Sequence, residues 1–268
     1  MDIGTQLAKS LISTAHELAD AAREVTLAHF RTAELATDDK GSGAFDPVTM
    51  ADRLSERRMR DILALRRPLD GILGEEYANV DSRNGLTWVI DPIDGTRSYI
   101  SGCPTWGVLI AVADEQGPIY GLIDQPYIGE RFEGGLGRAL MKGPHGSRAL
   151  KTRIGRDVST ATLFTTFPEI GTKEEEAAFR RVAQKVRLTR YGMDCYAYAL
   201  LALGQVDLVI EAGLHPYDVQ GPIAVIEAAG GIVTDWRGGP CHMGGQLVAA
   251  ANDEIHAAAL DLLNRDLA

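Results

Sequence analysis

The run Trp88-Val89-Ile90-Asp91-Pro92-Ile93-Asp94-Gly95-Thr96 decides how the rest of this 268-residue chain is read. Trp88 to Ile90 has no polar residue to turn toward water, which predicts the end of a buried strand. The strand stops at two aspartates three residues apart, stiffened by Pro92 and released by Gly95. Carboxylates at the end of a buried strand cost free energy unless a cation or hydrogen bonds compensate them. Asp91, Asp94 and the carbonyl of Ile93 are hard oxygen donors of the kind Mg²⁺ takes. Gly95-Thr96 offers close backbone approach and free N–H groups to a phosphate if a helix starts there. Read alone, the same residues also make an ordinary Asp-Pro/Asp-Gly turn leaving a strand.

The company this run keeps separates the two readings. Upstream stand Asp46-Pro47-Val48-Thr49-Met50-Ala51-Asp52 and Gly74-Glu75-Glu76. Downstream, Tyr217-Asp218 opens a helix that runs into Glu227-Ala228-Ala229-Gly230-Gly231. That set, in that order, resembles the inositol monophosphatase superfamily of metal-dependent phosphatases, marked by G-E-E, D-P-I/L-D-G-T and a late W-D followed by G-G. The likeness covers nearly the whole chain, and it is the combination that is specific rather than any one motif.

The resemblance implies an α/β protein, a layered αβαβα sandwich formed as a single domain over 1–268. Its first half, to about 150, is α+β and its second half, 151–268, is α/β. It implies two or three Mg²⁺ ions per site, with Mn²⁺ as a substitute, held by Glu75, Asp91, the Ile93 carbonyl, Asp94 and Asp218. Asp52 joins them as a catalytic member of the metal site. Glu75 and Thr96 resemble the pair that activates the attacking water, and the amides of Gly95 and Thr96 receive the phosphate. Several carboxylates cannot all stay ionised side by side without cations, which is the physical sense of such a set. By position alone, Asp52 is also an acid favoured by a helix N-terminus, and Glu75-Glu76 also reads as a solvated surface pair. Lys40 lies near the place of a loop lysine in the family, at a looser spacing. Family habit implies a homodimer.

Composition bounds the rest. A net charge of −10 argues against nucleic-acid or membrane-surface partners, which want basic patches. Cys103, Cys195 and Cys241 are odd in number and widely spaced, so they predict reduced thiols rather than a zinc site or a disulfide framework. The N-terminus carries charges too often for a signal-peptide core, and no apolar run is long enough to span a bilayer. The chain reads as soluble and cytoplasmic.

Taken in order, residues 3 to about 36 predict one amphipathic helix and Thr37 to Phe45 a polar loop. A second helix runs from Thr49 to Pro68, and Gly71 to Leu73 is a short strand delivering Glu75. Arg97 to Ile100 predicts a short helix. Strands follow from Trp106 to about Leu140, joined by turns at Asp114-Glu115-Gln116-Gly117 and Gly134-Gly135, so pairing there is antiparallel. Lys142 to Val158, rich in Gly, Arg and Lys, reads as a loop joining the halves. Beyond it helices and strands alternate, with helices from Lys173, Asp194, Asp218 and Asp253.

Gly192-Met193-Asp194-Cys195-Tyr196-Ala197-Tyr198 bears on the substrate. Inositol monophosphatases tend to carry small residues and hydroxyls here, G-T/S-A/G-A. This chain instead resembles the histidinol-phosphate phosphatase branch, with G-x-D-C-Y-A-Y, then Val206 to Glu211, then Leu214 to Asp218. Ile123-Asp124-Gln125-Pro126 and Glu130-Arg131 add to that likeness. Histidinol carries an amine and an imidazole, and Asp194 and Glu211 are suitable partners for both. Asp194 also reads as an N-cap, and Glu211 as a surface acid ending a strand. Two departures are Tyr217 where the superfamily has Trp and Cys103 where the branch often has a basic residue. The expectation is Mg²⁺-dependent hydrolysis of a small phosphorylated metabolite, L-histidinol phosphate first, with inositol 1-phosphate or a range of sugar phosphates as the alternative. A non-catalytic metal- or ligand-binding regulator is the remoter one.

Overall fold

The computed structural model describes residues 3–32, 37–39 and 47–265. Helix α1 spans Thr5–His29, and two short strands, β1 (Thr37–Asp39) and β2 (Pro47–Thr49), pair antiparallel before α2 (Met50–Arg66). A seven-stranded sheet follows in near-sequential order: β3 (Gly71–Gly74), β4 (Thr87–Asp94), β5 (Gly107–Asp114), β6 (Gly117–Gln125), β7 (Glu130–Gly135), β8 (Arg138–Gly143) and β9 (Gly146–Ala149). The five-residue α3 (Thr96–Ile100) leaves β4. The second half holds β10 (Thr162–Thr165), α4 (Lys173–Ala183), β11 (Leu188–Tyr191), α5 (Tyr196–Ala202), β12 (Leu208–Leu214), α6 (Pro216–Ala228), β13 (Ile232–Thr234), β14 (Gly245–Ala250) and α7 (Asp253–Asn264). Its five strands run in the order β11-β10-β12-β14-β13.

Alternation along the strands builds the layers, because successive side chains leave opposite faces of a sheet. Val108, Ile110 and Val112 of β5 pack with Leu11, Leu18, Ala22 and Met59 of α1 and α2. Leu109 and Ile123 face the other way, toward Tyr198, Leu201, Val219 and Ile223 of α5 and α6. That same inner layer takes Val209, Leu247 and Ala249 from the second sheet. Leu208, Ile210, Val248 and Ala250 turn outward onto Phe179, Val182, Ile255 and Leu262 of α4 and α7. Two helices, sheet, two helices, sheet, two helices is the expected αβαβα sandwich. Helix α6 lies so close to β6 that a Cβ on Gly121 would run into the Gly221 carbonyl oxygen.

Three expectations are corrected. The first helix ends at His29, not near 36, because Phe30 turns out of it into a cluster with Tyr99, Trp106 and Tyr127, ring centroids 5.1–5.2 Å away. The segment read as a loop from Thr37 holds β1. Much of the 142–158 loop is an exposed hairpin, since β8 extends to Gly143 and β9 pairs with it. Lys40 falls outside the described residues. Among the described residues no helix is long and apolar enough to cross a membrane.

Candidate active site

Five element ends meet at the run that opened the sequence. Strand β4 pairs with β5 as far as Asp91, breaks register, and resumes at Asp94. The bulge between them is held by the Ile93 N–H donating to Asp91 Oδ1 at 2.9 Å. Such a bulge re-aims side chains, and here both aspartates and the Asp218 carboxylate offer oxygens that lie within 4.8 Å of one another. Asp91 is only 2 % exposed.

Asp52 and Asp218 reach the site by the same device. Each is the third residue of its helix, and each accepts from the N–H that precedes the helix: Thr49 N–H at 2.9 Å for Asp52 and His215 N–H at 2.6 Å for Asp218. One carboxylate oxygen therefore fixes the helix start, as in a capping box, and the other remains for the site. Thr96 Oγ1 donates to the Ile93 carbonyl at 3.2 Å and sits 3.5 Å from Asp52 Oδ1, a distance too long for a strong hydrogen bond.

Glu75 follows β3, and a pair under it holds its loop. Buried Glu56 is bridged to Arg60 at 2.8 Å and accepts from the N–H groups of Glu76 and Tyr77. Glu75 is near enough to Asp91 and Asp52 to repel both.

Among the described residues, burial and neighbouring acids dominate the electrostatics of the cluster. Burial first, then Glu75, Asp94 and Asp218, push Asp91 well above the usual carboxylate range. Burial, then Asp218 and Asp194, do the same to Asp94, against the Cys195 N–H that donates to it at 2.6 Å. Burial raises Asp52 to about 6 despite its hydrogen bonds from Thr49. Closely spaced, buried, hard oxygen donors fit a divalent cation such as Mg²⁺.

Beside the cluster opens a cavity of about 260 Å³, lined by Asp94, Thr96, Asp194, Tyr198, Glu211 and Asp218 among others. Asp194 has φ +45 and stands before the helix, whose N-cap is Cys195, so the N-cap reading is set aside. Its carboxylate accepts from Thr105 Oγ1 at 2.5 Å, and burial raises its pKa against this bond and one from Ser98. Glu211 is 8 % exposed within β12, so it is not a surface acid. It accepts from Thr165 Oγ1, Thr166 Oγ1 and Thr166 N–H at 2.6–3.1 Å. Burial nonetheless pushes it up to about 7.

Asp91, Asp94 and Asp218 thus form the cluster, Glu75 lies close enough to act on Asp91 and Asp52, and Gly95, Thr96, Asp194 and Glu211 line the cavity. Cys103 is exposed and is not among the cavity's lining residues. His215 caps α6 and stacks on Tyr217, centroids 5.2 Å apart. Sequence reading missed Thr166, Phe167 and Tyr198 on the cavity wall, and Thr105, which donates to Asp194. Of these only Tyr198 carried a signal, as part of the aromatic run after Gly192.

A carboxylate cluster at strand and helix ends, beside a cavity of metabolite size, suits a divalent cation with a small ligand next to it. Comparison with known proteins gives the family. The Inositol monophosphatase family profile matches residues 7–267, and the chain belongs to that family. It is 42 % identical to the bifunctional phosphatase IMPL2 of Arabidopsis thaliana, over 92 % of this chain and 72 % of that one. It is 32 % identical to the histidinol-phosphatase of Mycobacterium tuberculosis, over 92 % and 95 % respectively. An inositol monophosphatase from Zymomonas mobilis superposes with a TM-score of 0.84 at 38 % identity, covering 96 % of this chain and 98 % of that one.

Proposed function

We propose that this chain, folded as a single domain, is a Mg²⁺-dependent phosphate monoester hydrolase whose preferred substrate is L-histidinol phosphate. The observation that carries the substrate is the pair Asp194 and Glu211, a half-buried and a buried acid lining the same cavity as Asp94 and Asp218 of the carboxylate cluster. A neutral polyol offers such acids hydroxyl donors but no charge, whereas a protonated amine and imidazole make the stronger, charge-assisted hydrogen bonds. The 32 % identity to a histidinol-phosphatase supports the same reading.

Glu75, Asp91, Asp94, Asp218 and the Ile93 carbonyl would hold the metal. Bound Mg²⁺ supplies a water of lowered pKa and positive charge against the phosphate oxygens. Thr96 Oγ1, whose own proton goes to the Ile93 carbonyl, would accept from the attacking water, and Glu75 with Asp52 would take up its proton. The amides of Gly95 and Thr96 receive phosphate oxygens. Asp194 and Glu211 hold the cationic end and so fix the ester against the attacking water. The three free cysteines suit a reducing cytoplasm, and the family likeness favours a homodimer.

A second reading, inositol monophosphate as substrate, is favoured by the 38 % identity to the Zymomonas mobilis enzyme. The test is Mg²⁺-dependent phosphate release from histidinol phosphate, inositol 1-phosphate and an adenosine bisphosphate side by side, with Asp194→Asn in parallel. A preference for histidinol phosphate that falls in the variant is expected. Equal or better turnover of inositol phosphate would overturn the substrate, and no turnover at all would restore the regulatory reading.

A further inference from the structure

Among the described residues four buried side-chain polar atoms have no hydrogen-bond partner: Ser55 Oγ, Trp106 Nε1, Gln220 Oε1 and the Tyr198 hydroxyl. Of these four residues, Tyr198 alone lines the cavity that carries Asp94, Asp194, Glu211 and Asp218. Its ring is 5 % exposed, packed among Cys195, Val219 and Cys241, and α5 fixes it in place. An unpaired buried hydroxyl has lost its hydrogen bonds to water without gaining others, which costs stability. Phenylalanine would supply the same ring without that cost, so the fold gains nothing from the oxygen.

The position of the hydroxyl says what it meets. Tyr198 shares the cavity lining with Asp94, Asp218 and Glu211. Burial first, then those three carboxylates, raise the proton affinity of its hydroxyl, so it stays protonated. A substrate group reaching it while the phosphate is seated is borne close to the ester carbon.

We propose that Tyr198 determines specificity for phosphate esters of 2-amino alcohols, its hydroxyl oxygen accepting a hydrogen bond from an ammonium whose charge Glu211 balances. The proposal rests on the cationic-substrate reading above. The bond is one to a charged group, the stronger kind, and it completes the hydroxyl only when such a substrate is bound. A polyol phosphate leaves the same oxygen without a charged donor.

The test compares kcat/KM for histidinol phosphate with that for its analogue lacking the amine, 3-(imidazol-4-yl)propyl phosphate, in the wild type and in Tyr198→Phe. Thermal melting of the Mg²⁺-loaded, substrate-free proteins runs alongside. The wild type should prefer the amine substrate, and Tyr198→Phe should reduce that preference roughly tenfold, as expected for a hydrogen bond to a charged group. Its melting temperature should be unchanged or higher. Tyr198→Met, which keeps an apolar side chain in the core, should lose the preference likewise and covers the case of a poorly folding phenylalanine variant. An undiminished preference in both variants overturns the role of Tyr198 while leaving the substrate reading in place. A lower melting temperature with both substrates equally affected overturns it too, as the mark of a structural role. A wild type indifferent to the amine overturns the cationic-substrate reading and this proposal with it.

Discussion

A Cβ built on Gly95 would stand 2.6 Å from Cγ of Asp194, so the glycine beside the carboxylate cluster and the acid that enters α5 are in direct contact. The two halves of the chain meet there, and the space for Asp194 exists because Gly95 has no side chain. Gly95 also has φ +86, a conformation that costs an L-residue about 1–2 kcal/mol. Gly95→Ala should therefore lower the melting temperature and push Asp194 out of place. We expect kcat/KM for histidinol phosphate to fall by at least tenfold, more steeply than for a substrate without a cationic group. Crystallography of the variant would check the displacement directly. An alanine variant with wild-type kinetics would show that the contact is not needed.

The carboxylate cluster makes a prediction that does not depend on turnover. A cation that binds only the folded chain stabilises it by mass action, about 2.7 kcal/mol at a hundredfold excess over its Kd. Mg²⁺ should raise the melting temperature of the wild type, and EDTA should reverse the effect. Asp91→Asn should abolish most of the Mg²⁺ shift. It should also melt higher than the wild type in EDTA, because it removes one of the repelling acids that burial already strains. Calorimetry with and without Mg²⁺ reads both effects, and an Asp91→Asn protein with an undiminished Mg²⁺ shift would remove Asp91 from the metal site.

Much of this site was legible in the sequence because its chemistry sits in short local runs. Asp91-Pro92-Ile93-Asp94-Gly95-Thr96 carries its own strand end, bulge and helix start. Thr49 and Asp52 spell a capping box across four residues. What was not legible depends on partners distant in the chain. Phe30 continues the helical spacing of α1, and only its packing on Tyr99, Trp106 and Tyr127 takes it out of the helix. The β8–β9 hairpin faces solvent and has Gly, Lys and Arg where alternation would have marked strands. Glu56 and Arg60 have the spacing of a surface ion pair, yet Glu56 is buried beneath the Glu75 loop. Tyr198 has the spacing of a core residue, which its ring is. Its unpaired hydroxyl is visible only once the cavity is.

Glu211 gives a pH dependence with a definite sign. Burial raises its pKa from 4.5 to about 7 in the folded chain, so the folded state holds this proton more tightly than the unfolded one. Its stabilising contribution is complete below about 4.5 and is lost as pH rises toward 7. Above that, the fold carries a buried carboxylate at a cost on the order of 3 kcal/mol. Glu211→Gln keeps an acceptor for the Thr166 N–H and removes the charge. In the absence of substrate it should be more stable than the wild type at pH 8 and nearly equal to it at pH 5. Urea titrations at the two pH values test this, and a pH-independent difference would contradict the assignment. The same variant should bind a cationic substrate more weakly, since the charge that destabilises the empty cavity is the charge the ligand meets.

Asp124 shows the opposite balance. It is fully buried in β6 and accepts two hydrogen bonds from Arg23 of α1, at 2.6 and 3.0 Å, and one from Arg131 of β7 at 2.7 Å. Arg131 goes on to Asp20 and to His16, and His16 to Glu133, so one helix is laced to two strands through a chain of charges. In the sequence these residues entered only as likeness to one branch of a family. In the fold they are what ties α1 to the sheet that carries β4. Such a pair adds little over an apolar replacement, but removing Asp124 leaves the half-buried Arg23 without its carboxylate and Arg131 with only Asp20, at up to about 3–5 kcal/mol. Asp124→Asn should therefore lower unfolding free energy by several kcal/mol, on the scale of that penalty, while the Mg²⁺ dependence of the folded fraction stays as in the wild type. Replacing Arg23 with methionine as well should recover part of the loss, because it removes one of the stranded charges. A double-mutant cycle in urea measures that recovery, and strict additivity would mean that the two side chains do not act as a pair.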